Sequence, residues 1–467
     1  MEENNKKITV KKILEITKGI LLSGKEEFVI KTFSKDTRNI EEGDFYLGIK
    51  GEKFNGSVFY EDALKKGAIG ALVQDIEISK EVLQKYTDKV IIKVENVLES
   101  MQKIAEYKRN LYSIPVVAIT GSVGKTSTKD IVASVMEEKF DVLKTQGNLN
   151  NHIGLPFTIL KLDNHDAMVI EMGMNNFGEI RTLTNIAKPT FCIITNIGTA
   201  HIGNLGSREN ILKAKLEILE GMQNGGTLLV NNDNDLLHKW VEENKGKVDL
   251  NILTYGIENK SDYMAHSICK KEEGSIYKID IKGKTEQIIV PVPGMHFVYN
   301  SLCSIAVGDY FNIDVEKVKQ GIEKFKLTKS RMDIEKIRDN ITVINDSYNA
   351  NFDSMKSALE YLGSLKNRKI AVLGDMLELG EYAKDLHEKV GEEVVKNKID
   401  ILICVGNLAK NIAIKCKNLG MNDENIIYLD NKEEAIKLLN SILKENDNVL
   451  LKASNSMKFY EILDYIK

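Results

Sequence analysis

The stretch VVAITGSVGKTSTKDIVASVMEEKF, Val116 to Phe140, restricts the fold of this chain more than any other. A short run of β-branched and apolar residues meets a glycine turn, and a segment with helical apolar spacing follows at once. That order belongs to parallel α/β sheets, and it is the setting in which a backbone loop can grip phosphate. Phosphate oxygens need several N–H donors converging on them. Glycines let the backbone approach, and the N-terminus of the next helix adds the positive end of a dipole. The longer pattern G-x-x-x-x-G-K-[ST] is not met: Ile119 stands five before Gly124, and the nearest glycine, Gly121, stands three before it. A bare G-K-T also fits an ordinary turn with an exposed lysine. The strand on one side and the amphipathic helix on the other favour a nucleotide loop of Gly121, Ser122, Val123, Gly124, Lys125, Thr126 and Ser127. Lys125 would then reach the β/γ-phosphates of ATP, and the Thr126 hydroxyl would ligate Mg²⁺.

Short apolar strands alternate with helices along the rest of the chain, which predicts an α/β fold. Before the loop come DFYLGI, GAIGALVQ and VIIKVEN, then the helical segment VLESMQKIAEYKRNLY. After it come AMVIEM, FCIITNI and TLLVN, with the helical stretch SRENILKAKLEILEGM. From Thr328 onward ITVINDS, KIAVLGD, DILICVG and NVLLKAS alternate with SMKSALEYLGSL and EEAIKLLNSILK. A chain of 467 residues exceeds one core, and the usual domain size gives about three. The predicted units are a small α/β domain over 1–112, a central parallel-sheet nucleotide domain over 113–327, and a Rossmann-like α/β domain over 328–467. The last carries no G-x-G-x-x-G, so a dinucleotide role has no support.

The 64 basic and 68 acidic residues leave a net charge of -4. That balance gives no bulk attraction to nucleic acid or an anionic membrane, so an anion must be held by local geometry. Five scattered cysteines without C-x-x-C spacing read as buried thiols of a reducing compartment. No secretory signal follows the lysine-rich start, and no apolar run reaches the roughly 18 residues of a membrane span. A cytoplasmic location is the expectation.

TGSVGKTST resembles the shortened loop of the Mur ligases, the ATP-dependent amide-forming enzymes of bacterial peptidoglycan assembly. The resemblance extends in order through GNLNNHIGLP, VIEMGMNNFGEI, TNIGTAHIGNLGS, AKLEI, PGMHFVYNSLCSIA, SRMDI, NDSYNAN and VLGDMLELG. The last two, with EMGMN, are similar to the subgroup that adds D-alanyl-D-alanine to UDP-N-acetylmuramoyl-tripeptide. The resemblance implies a monomer working with ATP and two Mg²⁺ ions.

Each motif also has a reading of its own. Glu171 ends a buried apolar strand at the carboxyl edge, where a carboxylate is costly unless a cation is near. His201 follows another strand and would enter the same crevice, although a lone histidine is more often structural. The resemblance implies that both hold metal. Lys215 reads by spacing as a solvated lysine on a helix; the matching lysine of the family is commonly carbamylated, which would let it help hold the second Mg²⁺. His296 and Asn300 are four apart, so a helix would put them on one face, and the resemblance places them near the base and ribose. Arg331 alone would pass for a surface ion pair; the resemblance sends it to the γ-phosphate. Asp346 would position nucleotide and amine, Tyr348 would offer a flat surface to nucleotide, and Asn349 would contact ligand. Asn150 and Asn151, and the SKDTR residues Ser34, Thr37 and Arg38, are the expected contacts to the UDP-linked substrate.

The chain departs from the family's patterns at three places. GExxDGHxF reads GEKFNGSVF with Asn55 and Ser57, SYNANP reads SYNANF with Phe352, and KGSR reads KASN with Ala453 and Asn455. These departures keep other acceptors open: another Mur-type ligase or a folylpolyglutamate-synthase relative. A regulatory P-loop ATPase is the reading from a different class.

Overall fold

The computed structural model describes residues 6–271 and 273–467. Three sheets organise these residues, preceded by a small ribbon of Ile8–Thr9 against Val29–Ile30. The first sheet holds Thr32–Ser34, Asp44–Leu47, Gly70–Val73 and Val90–Lys93 in parallel, with Ile20–Ser23 antiparallel at one edge. Every residue of Asp44–Leu47 and Gly70–Val73 is buried. Strands covered on both faces read as continuous apolar runs, which is why they were visible in the sequence.

Helix Val97–Asn110 joins this sheet to the next. Asn96 starts it by accepting the N–H groups of Leu98 and Glu99, an ordinary N-cap. Near its end, Lys108 Nζ donates to the Leu160 carbonyl at 2.7 Å. Arg109 donates from Nε to Ala187 at 2.7 Å and from Nη2 to Lys188 at 3.3 Å. Those carbonyls close helices Gly154–Ile159 and Glu179–Ala187, and a helix C-terminus favours a cation. Burial pushes Lys108 down to about 8 and lowers Arg109. The first sheet is thus bolted to the second.

The second sheet has nine strands. From one edge they run Val142–Lys144, Ala167–Glu171, Val116–Thr120, Phe191–Ile194, Thr227–Asn231, Asn251–Gly256, Tyr263–Lys271, Gly274–Ile281 and Lys284–Val290. All are parallel up to Tyr263–Lys271, and the last three form an antiparallel meander. Val116–Thr120 lies between Ala167–Glu171 and Phe191–Ile194. The chain therefore leaves it to both sides, and a crevice opens at the carboxyl ends of these strands. The helix after the loop, Lys125–Met136, is not amphipathic in its setting. Ten of its 12 residues are buried, because helix Val315–Lys324 approaches so closely that a side chain at Gly321 would meet Val135 Cα at 2.7 Å.

The third sheet runs Asp333–Lys336, Thr342–Asn345, Asn448–Lys452, Lys369–Gly374, Ile401–Val405 and Ile426–Leu429, parallel except for the first pair. Helix Phe352–Ser364 begins with a reciprocal capping box between Asn351 and Ser354. Among the described residues, no helix is long and apolar enough to cross a membrane. Four of the five cysteines are buried free thiols, and Cys269 is exposed.

Candidate active site

A cleft of about 820 Å³ separates the second and third sheets, within the size range of small-molecule sites. One wall is the loop between Val116–Thr120 and Lys125–Met136. Gly121 and Gly124 hold it open with φ of 150° and 84°. The turn after Phe191–Ile194 shapes it from behind. Thr195 Oγ1 donates to the Val123 carbonyl at 2.6 Å, and Asn196 Oδ1 accepts the N–H groups of Ser122 and Val123 at 3.1 and 2.9 Å. The Gly198 N–H donates to Ser122 Oγ at 2.9 Å, and Lys125 Nζ donates to the Gly121 carbonyl at 2.8 Å. Desolvation pushes the Lys125 ammonium below its ordinary value, with Glu171 opposing and Arg331 adding to the shift.

A Cβ at Gly121 would sit 1.9 Å from Thr195 Oγ1. Gly121→Ala is therefore expected to weaken ATP at least about 100-fold and to cost roughly 2–3 kcal/mol of stability, through overpacking and a strained φ. Titration calorimetry with ATP and a thermal melt check both parts.

The strongest signal at the cleft is a set of bare polar atoms on Asn300 and Arg331, which line it, and on Glu171, which lies outside its lining. Among the described residues, the buried side-chain polar atoms without a partner include Glu171 Oε2, Asn300 Nδ2 and Arg331 Nε. Folded proteins leave few such atoms, so a cluster of them points to a ligand. Glu171 is 1% exposed; its Oε1 accepts from Asn150 Nδ2 at 2.7 Å while Oε2 stays bare. Mg²⁺ suits such a place, since it takes one or two carboxylates and completes its shell with phosphate oxygens and water. No three His, Cys, Asp or Glu side chains gather into a metal cage among the described residues. Thr126, Glu171 and His201 would hold the ion together with nucleotide phosphates.

The opposite wall belongs to the third sheet. Arg331 stands between Ser330 and Met332, both left-handed with φ of 60° and 49°. Its Nη2 donates to Thr126 Oγ1 at 3.2 Å, and its guanidinium lies 3.9 Å from the centre of the Tyr348 ring. Asp346 Oδ1 accepts the Met332 N–H at 3.1 Å, and its other oxygen takes the Lys452 ammonium. Lys452 is 1% exposed and also donates to the carbonyls of Asp346 and Asn349, each at 3.1 Å. The two walls touch directly. His201 Nδ1 lies 2.9 Å from Glu378 Oε2, and hydrogen bonding to His201 holds the Glu378 carboxyl below its ordinary range. Asp353 Oδ2 accepts both the N–H and the hydroxyl of Thr199, at 2.9 and 3.1 Å. Tyr382 donates its hydroxyl to the Gly206 carbonyl at 2.6 Å.

Comparison with known proteins agrees with this architecture over the whole chain. The Mur ligase family catalytic domain matches residues 29–109, the Mur ligase middle domain 119–308, and the Mur ligase glutamate ligase domain 330–455. The chain belongs to the Mur ligase family. It is similar to UDP-N-acetylmuramoyl-tripeptide--D-alanyl-D-alanine ligase of Bacillus subtilis (strain 168), at 35% identity over 461 residues and 98% of each chain. It superposes on MurF from Acinetobacter baumannii with a TM-score of 0.88, 25% identity and 98% of each chain covered. MurF from Thermotoga maritima in complex with ADP gives 0.81 at 26% identity, covering 94% of this chain and 97% of that one.

Within this Mur ligase, the structure gathers most of the anticipated residues at one cleft. Ser122, Val123, Gly124, Lys125, Thr126 and Ser127 line it, as do His201, His296, Asn300, Arg331, Asp346 and Asn349. His296 and Asn300 share the first turns of helix Met295–Tyr310. Burial lowers the His296 imidazole to about 4, so it is neutral at pH 7. Other residues named in the sequence have protein partners of their own. One face of the half-buried Tyr348 ring carries the Arg331 guanidinium. Asp346, at the cleft, accepts from Lys452 and from the Met332 N–H beside Arg331. The Asn150 amide is engaged by Glu171, and Asn151 Oδ1 accepts the Gly154 N–H at 2.8 Å, starting a helix. Lys215 is no solvated lysine. It is 2% exposed on helix Arg208–Leu216, and burial, then the charge of Lys125, push its amine well below the ordinary value.

Ser34, Thr37 and Arg38 sit at the first sheet, outside the cleft lining. Arg38 pairs there with Asp36, from Nε to Oδ1 at 2.9 Å and from Nη2 to Oδ2 at 2.6 Å. Asn196, Asp353 and Lys452 were missed; only Asn196 carried a signal, as a small amide at a strand's carboxyl end. Asp233 was missed too. It closes the far end of the cleft, accepting the Tyr299 hydroxyl at 2.9 Å and the N–H groups of Ile257, Glu258 and Asn259. The departures from the family pattern have local jobs. Ser57 Oγ donates to the Gly48 carbonyl at 2.8 Å and accepts the Gln74 N–H, Ala453 is wholly buried, and Asn455 Nδ2 donates to the Tyr348 carbonyl at 2.9 Å.

Proposed function

We propose that this chain couples D-alanyl-D-alanine to the terminal carboxylate of UDP-N-acetylmuramoyl-tripeptide, converting ATP to ADP and phosphate, as a monomer in the cytoplasm. The observation that carries this reading is the set of bare buried atoms on Glu171, Asn300 and Arg331, placed beside a phosphate loop in a chain that matches ligases named for this reaction over 97–98% of its residues.

A carboxylate does not acylate an amine unaided, because oxide is a poor leaving group. One carboxylate oxygen therefore attacks the γ-phosphorus, the bond to the β-bridging oxygen breaks, and ADP leaves. The acyl phosphate then takes the amine of D-alanyl-D-alanine, loses phosphate through a tetrahedral intermediate, and the nitrogen gives up its proton. Phosphoryl transfer asks chiefly for positioning and charge neutralisation. Lys125 and Arg331 supply both from opposite walls. Bound Mg²⁺ would neutralise phosphate charge at Thr126, Glu171 and His201. The contacts of Asp353 with Thr199 and of Tyr382 with Gly206 keep the walls together, which protects an acyl phosphate from water. Ser34, Thr37 and Arg38 would hold the UDP end.

Lys215 fits a carbamate site. Burial, then the charge of Lys125, push its amine well below the ordinary value, which favours the neutral form, whose nitrogen can add to CO₂, lose a proton and become an anion able to share the second Mg²⁺. Lys215→Ala is expected to lose at least about 100-fold in ligation, with no recovery in added bicarbonate. A rate within twofold of wild type removes Lys215 from the site.

The test of the whole reading is phosphate release from ATP and Mg²⁺ with UDP-linked tri- and dipeptides, each with D-alanyl-D-alanine or a diamino acid. Release should stay near background until tripeptide and D-alanyl-D-alanine are both present. Rapid release without any carboxylate acceptor would sink it, and release with dipeptide plus a diamino acid would reassign the substrates.

A further inference from the structure

Arg331 reaches the cleft from residues 325–332, which join helix Val315–Lys324 to strand Asp333–Lys336 without regular secondary structure. Such a connector does not fix a side chain by itself. Two of its residues, Ser330 and Met332, are left-handed, a conformation that persists in L residues where surrounding contacts over-determine it. Part of that determination comes from the helix behind the phosphate loop. Asp130 Oδ2 accepts both the N–H of Thr328 at 3.1 Å and its hydroxyl at 2.9 Å. Asp130 and Thr126 are four apart on helix Lys125–Met136, hence on one face, about 6 Å apart along the axis. Thr328 and Arg331 are three apart in the connector, and Arg331 Nη2 donates to Thr126. The connector is therefore fastened to one helix face at two points in register.

Asp130 is itself held. Its Oδ1 pairs with Lys129 Nζ at 2.7 Å, the Lys129 side chain is 3% exposed, and the same ammonium donates to the Thr145 carbonyl at 3.0 Å. Asp130 is outside the cleft lining, and both its oxygens are engaged by protein groups.

We propose that Asp130 is a positioning residue for Arg331: by clamping Thr328 to the helix of the phosphate loop, it fixes where the arginine enters the nucleotide cleft. This deepens the proposed function and rests on it for the placement of Arg331 at the terminal phosphate of ATP. A merely structural clamp would weaken every nucleotide alike. A positioning clamp acts on the triphosphate and is silent once the arginine is gone.

The experiment measures dissociation constants of ADP and of the β,γ-imido analogue of ATP for wild type, Asp130→Ala, Arg331→Ala and the double variant, with Mg²⁺. Asp130→Ala should weaken the analogue about tenfold, the worth of a charge-assisted bond, and leave ADP within twofold. In the Arg331→Ala background it should add nothing. Equal weakening of both nucleotides, or additive losses in the double variant, overturns the proposal. If Asp130→Ala does not fold, Thr328→Val, which leaves the helix untouched, carries the same selectivity at a few-fold size. None of these measurements needs an acceptor amine. Ligation by wild type is scored separately, so failure of the functional reading and failure of the clamp give different results.

Discussion

Lys125→Ala is expected to cut ATP-dependent phosphate release at least about 1,000-fold, close to 4 kcal/mol of barrier, while the unliganded protein melts no lower than wild type. The two halves have one cause. Lys125 is held in the loop by a single hydrogen bond to Gly121, and the surrounding protein disfavours its charge. A cation in that position adds little to the fold, because removing the charge also removes its desolvation cost. It becomes favourable when phosphate oxygens replace the missing water. Single-turnover phosphate release and a thermal melt decide the matter. A variant that keeps a tenth of the rate, or one that melts many degrees lower, would show that Lys125 serves the fold instead.

Glu171→Gln should be as severe for a different reason. The amide keeps the size of the side chain and can still accept from Asn150, so the strand end survives. The bare Oε2, buried and partnerless, becomes an amide nitrogen that repels a cation. Turnover is expected to fall at least about 1,000-fold, with the Mg²⁺ requirement shifted to higher concentration. Titrating Mg²⁺ against the rate at fixed ATP gives the answer, and an unchanged titration curve would exclude Glu171 from the metal. Because a buried charge is removed, the unliganded variant should be at least as stable as wild type.

Much of this site was legible because α/β chemistry gathers at the carboxyl ends of strands, and those ends are easy to find when the strands are fully buried. Thr120 and Glu171 each close such a run, and Thr195 follows one directly. Spacing alone also placed His296 and Asn300 on one helical face. Three kinds of feature stayed hidden. Lys215 reads as a surface lysine because its helix carries lysines and a glutamate around it, and the burial comes from neighbours far along the chain. Asn196, Asp353 and Lys452 act through contacts that span many residues, which no local spacing encodes. The meander of Tyr263–Lys271, Gly274–Ile281 and Lys284–Val290 was invisible as well. It faces solvent on one side, so lysines and acids alternate with its apolar residues.

The bolting of the first sheet by Lys108 and Arg109 has a practical consequence for anyone wishing to trim this protein. Deleting residues 1–112 would strip the donors from the carbonyls of Leu160, Ala187 and Lys188 at two helix ends. It would also bare apolar surface on the central unit. The nucleotide-handling portion is therefore no free-standing ATPase module, and a shortened version beginning at residue 113 should be recovered as aggregate.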